Sequence, residues 1–129
     1  MRVVIDTNVV ISGIFFGGNP RRILERVVEG ELEAVATPEI VEEYREVVQE
    51  MLSRKQGRLR TDALGAFIGR LRLIESQTLV DACRDPDDNA FLACAVDARA
   101  SAIISGDKDL LDLETFRGVK ILTAADFLQ

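Results

Sequence analysis

Residues 3–8 read VVIDTN, a β-branched apolar run that ends on an acidic residue. A short run of this kind is typical of a strand buried on both faces. A second apolar run, VVI at residues 9–11, follows before the glycine pair Gly17-Gly18. The stretch therefore predicts a buried strand that leads directly into a helix, with Asp6 at the junction between them.

The rest of the chain repeats this alternation of short apolar strands and longer amphipathic segments. A helical pattern opens at Pro20 and stops at Gly30, since proline is favoured at a helix start and glycine just past its end. Further strands are predicted at residues 32–36, near 71–74, at 102–104 and at 119–122. Such alternation implies right-handed crossovers between parallel strands. We therefore expect an α/β fold of three layers (α/β/α), a central parallel sheet of four to five strands, and one domain over residues 1–129.

The segment that begins at Thr37 predicts the longest amphipathic helix. Its apolar residues recur at helical spacing over residues 40–52 and form one stripe. At about 100° per residue, Glu42 and Glu46 lie opposite this stripe, whereas Glu43 lies at its border. Glu43 is therefore the acid of this helix that we expect to point inward, although a position on the flank of a solvated face fits its spacing equally well.

The composition excludes several kinds of catalysis. The 129 residues include no histidine, so Ser-His-Asp and Cys-His catalysis and the common zinc sites are ruled out. Cys94 lies in an apolar stretch typical of a core, and we assign neither Cys83 nor Cys94 a chemical role. Asp6 interrupts the first apolar run too early for a signal peptide or a membrane span. We expect a cytoplasmic protein without a membrane partner.

Acidic residues follow the strands at the edge where open parallel sheets bind ligands. Asp6 ends the first strand, and Asp107 follows the strand at 102–104. Asp87 and Asp88 lie in the first turn of a helix that leads back to the same edge. Carboxylates from distant parts of the sequence are thus predicted to converge.

Each of these acids also has a purely structural interpretation. Asp6 is placed to cap the helix that follows it, and Asp107 with Asp109 fits a turn rich in Gly and Asp. Asp85 precedes Pro86 and matches a helix N-cap so well that we assign it this role alone.

The convergence of several carboxylates predicts a metal site. Ionised carboxylates a few ångströms apart repel one another unless a cation is bound or a proton is shared. Oxygen ligands suit Mg²⁺ or Mn²⁺, which promote phosphodiester hydrolysis without histidine. The formal charge of -6 argues against nucleic-acid binding by itself, and bound cations remove that contradiction.

Four blocks of sequence lie in order along almost the whole chain: VVIDTN at 3–8, TPEIVEEY at 37–44, DPDDNAFL at 85–92 and IISGDKDL at 103–110. In their order and spacing they resemble the PIN domains, including the VapC-like toxins of toxin-antitoxin pairs. The resemblance implies hydrolysis of single-stranded RNA with Mg²⁺ or Mn²⁺ as cofactor and water as nucleophile. It carries the catalytic and metal-binding roles to Asp6, Glu43, Asp88 and Asp107, and supporting roles to Asn8, Ser105, Asp87 and Asp109. Between Asp87 and Asp88 the transfer stays open.

The partners implied are RNA, a small antitoxin and a second copy of the chain. The segment Ile14-Phe15-Phe16 suggests apolar surface left for a homodimer, with core packing as the alternative. A basic loop predicted around residues 53–60 supplies RNA-phosphate candidates, with a solvated loop as the alternative. These candidates are Arg54, Lys55, Arg58 and Arg60, and Arg21 and Arg22 are additional ones.

Two other classes of protein share some of these features. A phosphoacceptor receiver domain has similar length and acidity, but receivers carry an acidic pair after the first strand, where this chain has Asp6 followed by Thr7 and Asn8. A haloacid-dehalogenase-type phosphatase needs a second aspartate at the position of Asn8. A PIN fold kept only as a binding module, with its catalysis lost, is the remaining alternative.

Overall fold

The fold is that of a computed structural model, which describes residues 1–54 and 61–129. Its strands are β1 (Arg2–Ile5), β2 (Glu33–Ala36), β3 (Arg72–Leu73), β4 (Ala102–Ile104), β5 (Thr115–Phe116) and β6 (Val119–Leu122). Its helices are α1 (Thr7–Phe15), α2 (Gly18–Val28), α3 (Pro38–Arg54), α4 (Thr61–Gly69), α5 (Pro86–Ala98), α6 (Lys108–Leu111) and α7 (Ala124–Phe127).

The strands form one mostly parallel sheet in the order β3-β2-β1-β4-β6-β5. Helices pack on both of its faces, so the predicted three-layer α/β/α fold is confirmed. The central strands are fully buried, as Val3, Val4, Ile103 and Ile104 are inaccessible to solvent. Burial on both faces explains why these strands read as continuous β-branched runs.

The strand order places a functional crevice between β1 and β4. The chain proceeds from β1 outward through β2 to β3 and then returns to the other side of β1 as β4. Ligands of open α/β sheets bind outside the carboxyl ends of the strands at such a reversal. Asp6 directly follows β1, and Ser105 directly follows β4.

The structure differs from the sequence predictions mainly in short elements. It contains a sixth strand, β5, which pairs antiparallel with β6 through a tight turn at Arg117 and Gly118. Both turn residues have positive φ, 48° and 86°, as two-residue hairpins of this kind require. The segment 108–111, interpreted as part of a turn, forms the short helix α6.

Helix boundaries shift by small amounts. Helix α2 begins at Gly18, before the predicted start at Pro20, and α3 extends to Arg54. The part of the predicted basic loop at Ser53 and Arg54 is therefore helical. The rest of that loop, residues 55–60, lies outside the described residues.

Candidate active site

A cavity of about 150 Å³ lies at the carboxyl ends of β1 and β4. All four acids of the predicted quartet line it, although they are separated by up to a hundred positions in the sequence. The lining consists of Asp6, Thr7, Asn8, Glu43, Val47, Asp85, Asp87, Asp88, Phe91 and Asp107. None of these described lining residues is basic, so the site is a concentration of negative charge.

Asp6 is held from the β4 side of the crevice. Its backbone N–H donates to the carbonyl of Ile104 at 2.9 Å, and Ser105 Oγ donates to Asp6 Oδ2 at 2.6 Å. The fully buried Ser105 hydroxyl also accepts from the backbone N–H of Asp107 at 2.9 Å. Burial raises the pKa of Asp6, while the hydrogen bonds from Ser105 and Asn8 oppose this shift. Ser105 thus links two acids of the quartet.

Glu43 reaches the cavity from α3. It is half-buried, whereas Glu42 and Glu46 are exposed, so the expected inward orientation is confirmed. Thr7 Oγ1, at the start of α1, donates a short hydrogen bond to Glu43 Oε2. Burial raises the pKa of Glu43 to about 7, with a further contribution from a hydrogen bond to Asp87.

Asp88 and Asp87 occupy different surroundings at the start of α5. Asp88 is buried, with 4% of its surface exposed, whereas Asp87 is exposed beside Glu43. Burial raises the pKa of Asp88 to about 7, and the negative charge of Asp107 adds to the shift. Within the described residues, Asp88 Oδ2 has no hydrogen-bond partner.

Three other acids of this region do have structural tasks as helix caps. Asp85 accepts from the backbone N–H of Asp87 at 2.9 Å and caps α5, as predicted. Asp6 caps α1 through a long bond of 3.4 Å to Asn8 N, and Asp107 caps α6 through Asp109 N at 2.9 Å. Asp88 caps nothing, so helix capping does not explain its burial.

A comparison with known protein families identifies the family of this chain. A family model described as the PIN domain matches residues 2–109. The chain belongs to the PIN domain family. The chain is also similar to the uncharacterized protein MJ1680 of Methanocaldococcus jannaschii, with 34% identity over 119 residues. The alignment covers 88% of this chain and 75% of the relative.

PIN domains are generally nucleases, so the family supports a hydrolase that acts on nucleic acid. It also excludes the receiver and phosphatase alternatives. The described part of this PIN domain has no helix with the length and apolar character needed to cross a bilayer.

The donors at this PIN domain's cavity fit a hard divalent cation. Carboxylate oxygens of Asp88, Asp107 and Asp109 lie within 4.8 Å of one another. Oxygen donors at such separations suit Mg²⁺ or Mn²⁺, and the Oδ2 atom of Asp88, which no described residue hydrogen-bonds, is available to a cation. Asp6 and Glu43 line the cavity but are not in this group of three. Asp109, expected only to assist, is in the group but does not line the cavity.

The basic candidates for RNA contact are less well supported by the structure. Arg54 pairs with Glu50 at 2.7 Å, and both side chains are exposed. Arg21 donates to the carbonyls of Gly13 and Ile14 at the end of α1, so it has a structural role there. Arg22 is exposed. Lys55, Arg58 and Arg60 lie outside the described residues.

Two site-building residues were missed by sequence reasoning. These residues are Thr7 and Tyr44. Tyr44 is indeed fully buried, but its hydroxyl also donates to the carbonyl of Ile5, next to Asp6. A Tyr within an apolar helical stripe was the available signal, because a buried Tyr hydroxyl usually needs a partner.

Proposed function

We propose that this chain is a metal-dependent endoribonuclease that hydrolyses RNA phosphodiester bonds with Mg²⁺ or Mn²⁺. The observation that carries the proposal is the buried Oδ2 of Asp88, which lacks a hydrogen-bond partner among the described residues. A buried carboxylate oxygen without a partner is costly, and other carboxylates around it increase the cost. A bound cation offsets both effects.

Asp88, Asp107 and Asp109 are the residues best placed to hold the cation, with Asp6 and Glu43 at the same cavity. When bound, such an ion lowers the pKa of water and stabilises the attacking and leaving oxygens of a phosphoryl transfer. Ser105 keeps the Asp6 carboxylate in one orientation through its 2.6 Å hydrogen bond. Asn8, exposed at the mouth of the cavity, offers an amide to the substrate.

The charge of the cavity makes the cation necessary for substrate binding as well as for chemistry. A phosphodiester anion that enters the cavity meets carboxylates and, among the described lining residues, no basic side chain. Without a cation this approach is repulsive. Contacts of the RNA backbone with Lys55, Arg58 and Arg60 stay a prediction.

The test is cleavage of single-stranded RNA by purified protein, with the new ends identified by sequencing. We expect cleavage with Mg²⁺ or Mn²⁺, none with EDTA, and almost none with Asp6→Asn. The Asp6→Asn protein should keep or slightly raise its stability without metal, because one repelling charge is removed. Asp126→Asn, which changes the same charge at an exposed residue of α7, is the matched control and should cut normally. Full activity of Asp6→Asn contradicts the proposal, and RNA binding without cleavage favours the inactive binding module.

We further propose that the nuclease is the toxin of a toxin-antitoxin pair and that it forms a homodimer. Ile14 and Phe15 pack into or against the core, but Phe16 is 65% exposed. A largely apolar groove of about 230 Å³, lined in part by Leu24 and Val28, offers a docking surface for a small protein. An antitoxin that inserts a basic side chain among the four acids would displace the metal through charge-assisted hydrogen bonds.

Light scattering over a dilution series and co-purification from the native host test these two partners separately. We expect a dimer and a small companion protein. A monomer at every concentration contradicts the first part, and the absence of a companion contradicts the second.

A further inference from the structure

Two hydrogen bonds join α3 to the residues on either side of Asp6. Thr7 Oγ1 donates to Glu43 Oε2, and the Tyr44 hydroxyl donates to the backbone carbonyl of Ile5. Glu43 and Tyr44 are neighbours on α3, and Ile5 and Thr7 are the two neighbours of Asp6. We call these two bonds the α3 clamp.

The Tyr44 bond fixes where α3 stands relative to the end of β1. Tyr44 is fully buried, and its ring contacts that of Phe67 with centroids 5.9 Å apart and planes tilted by 56°. The aromatic contact restricts the ring, so the hydroxyl is directed to a single acceptor. That acceptor, the Ile5 carbonyl, belongs to the last residue of β1. Any movement of α3 away from β1 breaks this bond.

The Thr7 bond fixes the carboxylate of Glu43 itself. Thr7 is 5% exposed and is the first residue of α1, a helix that Asp6 already caps. Its hydroxyl is therefore not needed for capping and donates to a different helix. A hydrogen bond to a carboxylate is stronger than one between neutral groups. Glu43 also has Asp87 as a competing neighbour, so the Thr7 hydroxyl holds Glu43 on the Asp6 side of the cavity.

We propose that Thr7 and Tyr44 are positioning residues that set the place of Glu43 relative to Asp6 and so preorganise the cavity for a divalent cation. The inference rests on the proposed metal-dependent function. It assigns the two hydroxyl groups no direct contact with metal or substrate. Their effect passes entirely through Glu43 and the backbone beside Asp6.

The test compares Thr7→Val with Thr7→Ser by titration with Mn²⁺, free Mn²⁺ being measured by electron paramagnetic resonance. Valine keeps the branched shape and removes the hydroxyl, whereas serine keeps the hydroxyl. We expect Thr7→Val to bind Mn²⁺ about tenfold more weakly, the lower end of the effect of supporting residues around metal ligands. Thr7→Ser should bind within about twofold of wild type. A midpoint of thermal unfolding in EDTA close to that of wild type separates this loss from misfolding.

Tyr44→Phe tests the second bond of the α3 clamp, because it keeps the ring against Phe67 and removes only the hydroxyl. We expect this variant also to bind Mn²⁺ more weakly. In the Thr7→Val/Tyr44→Phe double variant, the fold-loss of Mn²⁺ affinity should differ from the product of the two single fold-losses. Equal Mn²⁺ affinity in wild type, Thr7→Val and Tyr44→Phe overturns the inference while RNA cleavage by wild type upholds the proposed function. Mn²⁺ binding that weakens in both variants, in a protein that cuts no RNA, upholds the inference alone. A wild-type protein that binds no Mn²⁺ overturns both.

Discussion

Two aspartates on α5 have opposite environments. Asp88, in the first turn, is buried, has an oxygen without a partner in the described structure, and has its pKa raised to about 7. Asp97, near the other end, is exposed and accepts from Ser76 Oγ at 2.6 Å, from the N–H groups of Gln77 and Thr78, and from the Thr78 hydroxyl. These bonds, led by those from Ser76 and Thr78, hold the pKa of Asp97 well below its usual range.

The two environments distinguish an acid whose charge the protein stabilises from one whose charge the protein opposes. Asp97 fastens residues 76–78 to α5, and all of its observed bonds serve that purpose. Its charge is stabilised by the protein alone. Burial and the negative charge of Asp107 oppose the ionised form of Asp88, and no described residue donates a hydrogen bond to its Oδ2.

Replacing Asp88 should remove the activity, and replacing Asp97 should not. We expect Asp88→Asn to lower RNA cleavage by about 100-fold or more, since even supporting residues around metal ligands contribute 10- to 100-fold. Asp97→Asn makes the same chemical change on the same helix and should cut within about threefold of wild type. Initial rates with a labelled RNA measure both. Equal losses in the two variants would erase the distinction between the two aspartates.

The pH dependence of stability should also separate these aspartates. A carboxyl whose pKa is raised in the folded state stabilises the fold below its unfolded pKa, and this contribution is lost as pH rises through the folded pKa. In EDTA, wild type should therefore lose on the order of 1 to 2 kcal/mol relative to Asp88→Asn between about pH 5 and pH 8. Mn²⁺ should restore stability to wild type, and more so at the higher pH.

Thermal unfolding of both proteins at matched pH, with and without Mn²⁺, checks this prediction. A constant difference between wild type and Asp88→Asn across the pH range would contradict the raised pKa of Asp88. Asp97→Asn serves as the control. Because the pKa of Asp97 is lowered in the folded protein, its contribution to the stability of wild type is lost as pH falls, not as pH rises.

Asp97→Ala should weaken the attachment of residues 76–78 to α5. We expect a loss of about 1 to 2 kcal/mol in the free energy of unfolding, reduced from the sum of its bonds because the site is exposed. Urea denaturation measures the loss. Faster hydrogen exchange at the Gln77 and Thr78 amides should accompany it, and unchanged exchange there would show that the bonds contribute little.

Asp85→Ala should have the smallest effect. Loss of its bond to Asp87 N removes the cap of α5 and should cost about 1 kcal/mol of stability, within the range typical of caps. Cleavage should survive the change. If Asp85→Ala abolished cleavage in a folded protein while Asp88→Ala was harmless, the roles given to Asp85 and Asp88 would be reversed.

The regular parts of the fold could be predicted from the sequence. Strands β4 and β6 match their predicted ranges because each is a short apolar run bounded by polar or turn residues. Strand β5 could not be predicted from the sequence, because it has only two residues. Its turn also places Arg117 at a positive φ, a conformation that an arginine in the sequence does not indicate. Helix α6 is four residues long and is defined mainly by the Asp107 cap.

The candidate site could be predicted from the sequence only in part. Helical angles made Glu43 the best inward candidate of α3 but fitted a flank position equally well, whereas the convergence of Asp6 with Asp107 followed from where parallel strands end. The different surroundings of Asp87 and Asp88 did not, because both lie in the first turn of α5 and only its placement against the sheet distinguishes them. The Thr7–Glu43 bond depends on the relative placement of two helices, which local sequence does not encode.

The return of the chain to the far side of β1 has a consequence for biosynthesis. The cavity requires Asp107, which follows β4, so a growing chain has made Asp6, Glu43 and Asp88 before the site can close. Domains fold as units once their late strands have emerged during translation. A polypeptide still attached to the ribosome through its middle residues therefore lacks the complete cavity. The acids that line it can come together only after the β4 segment and Asp107 have been released from the exit tunnel.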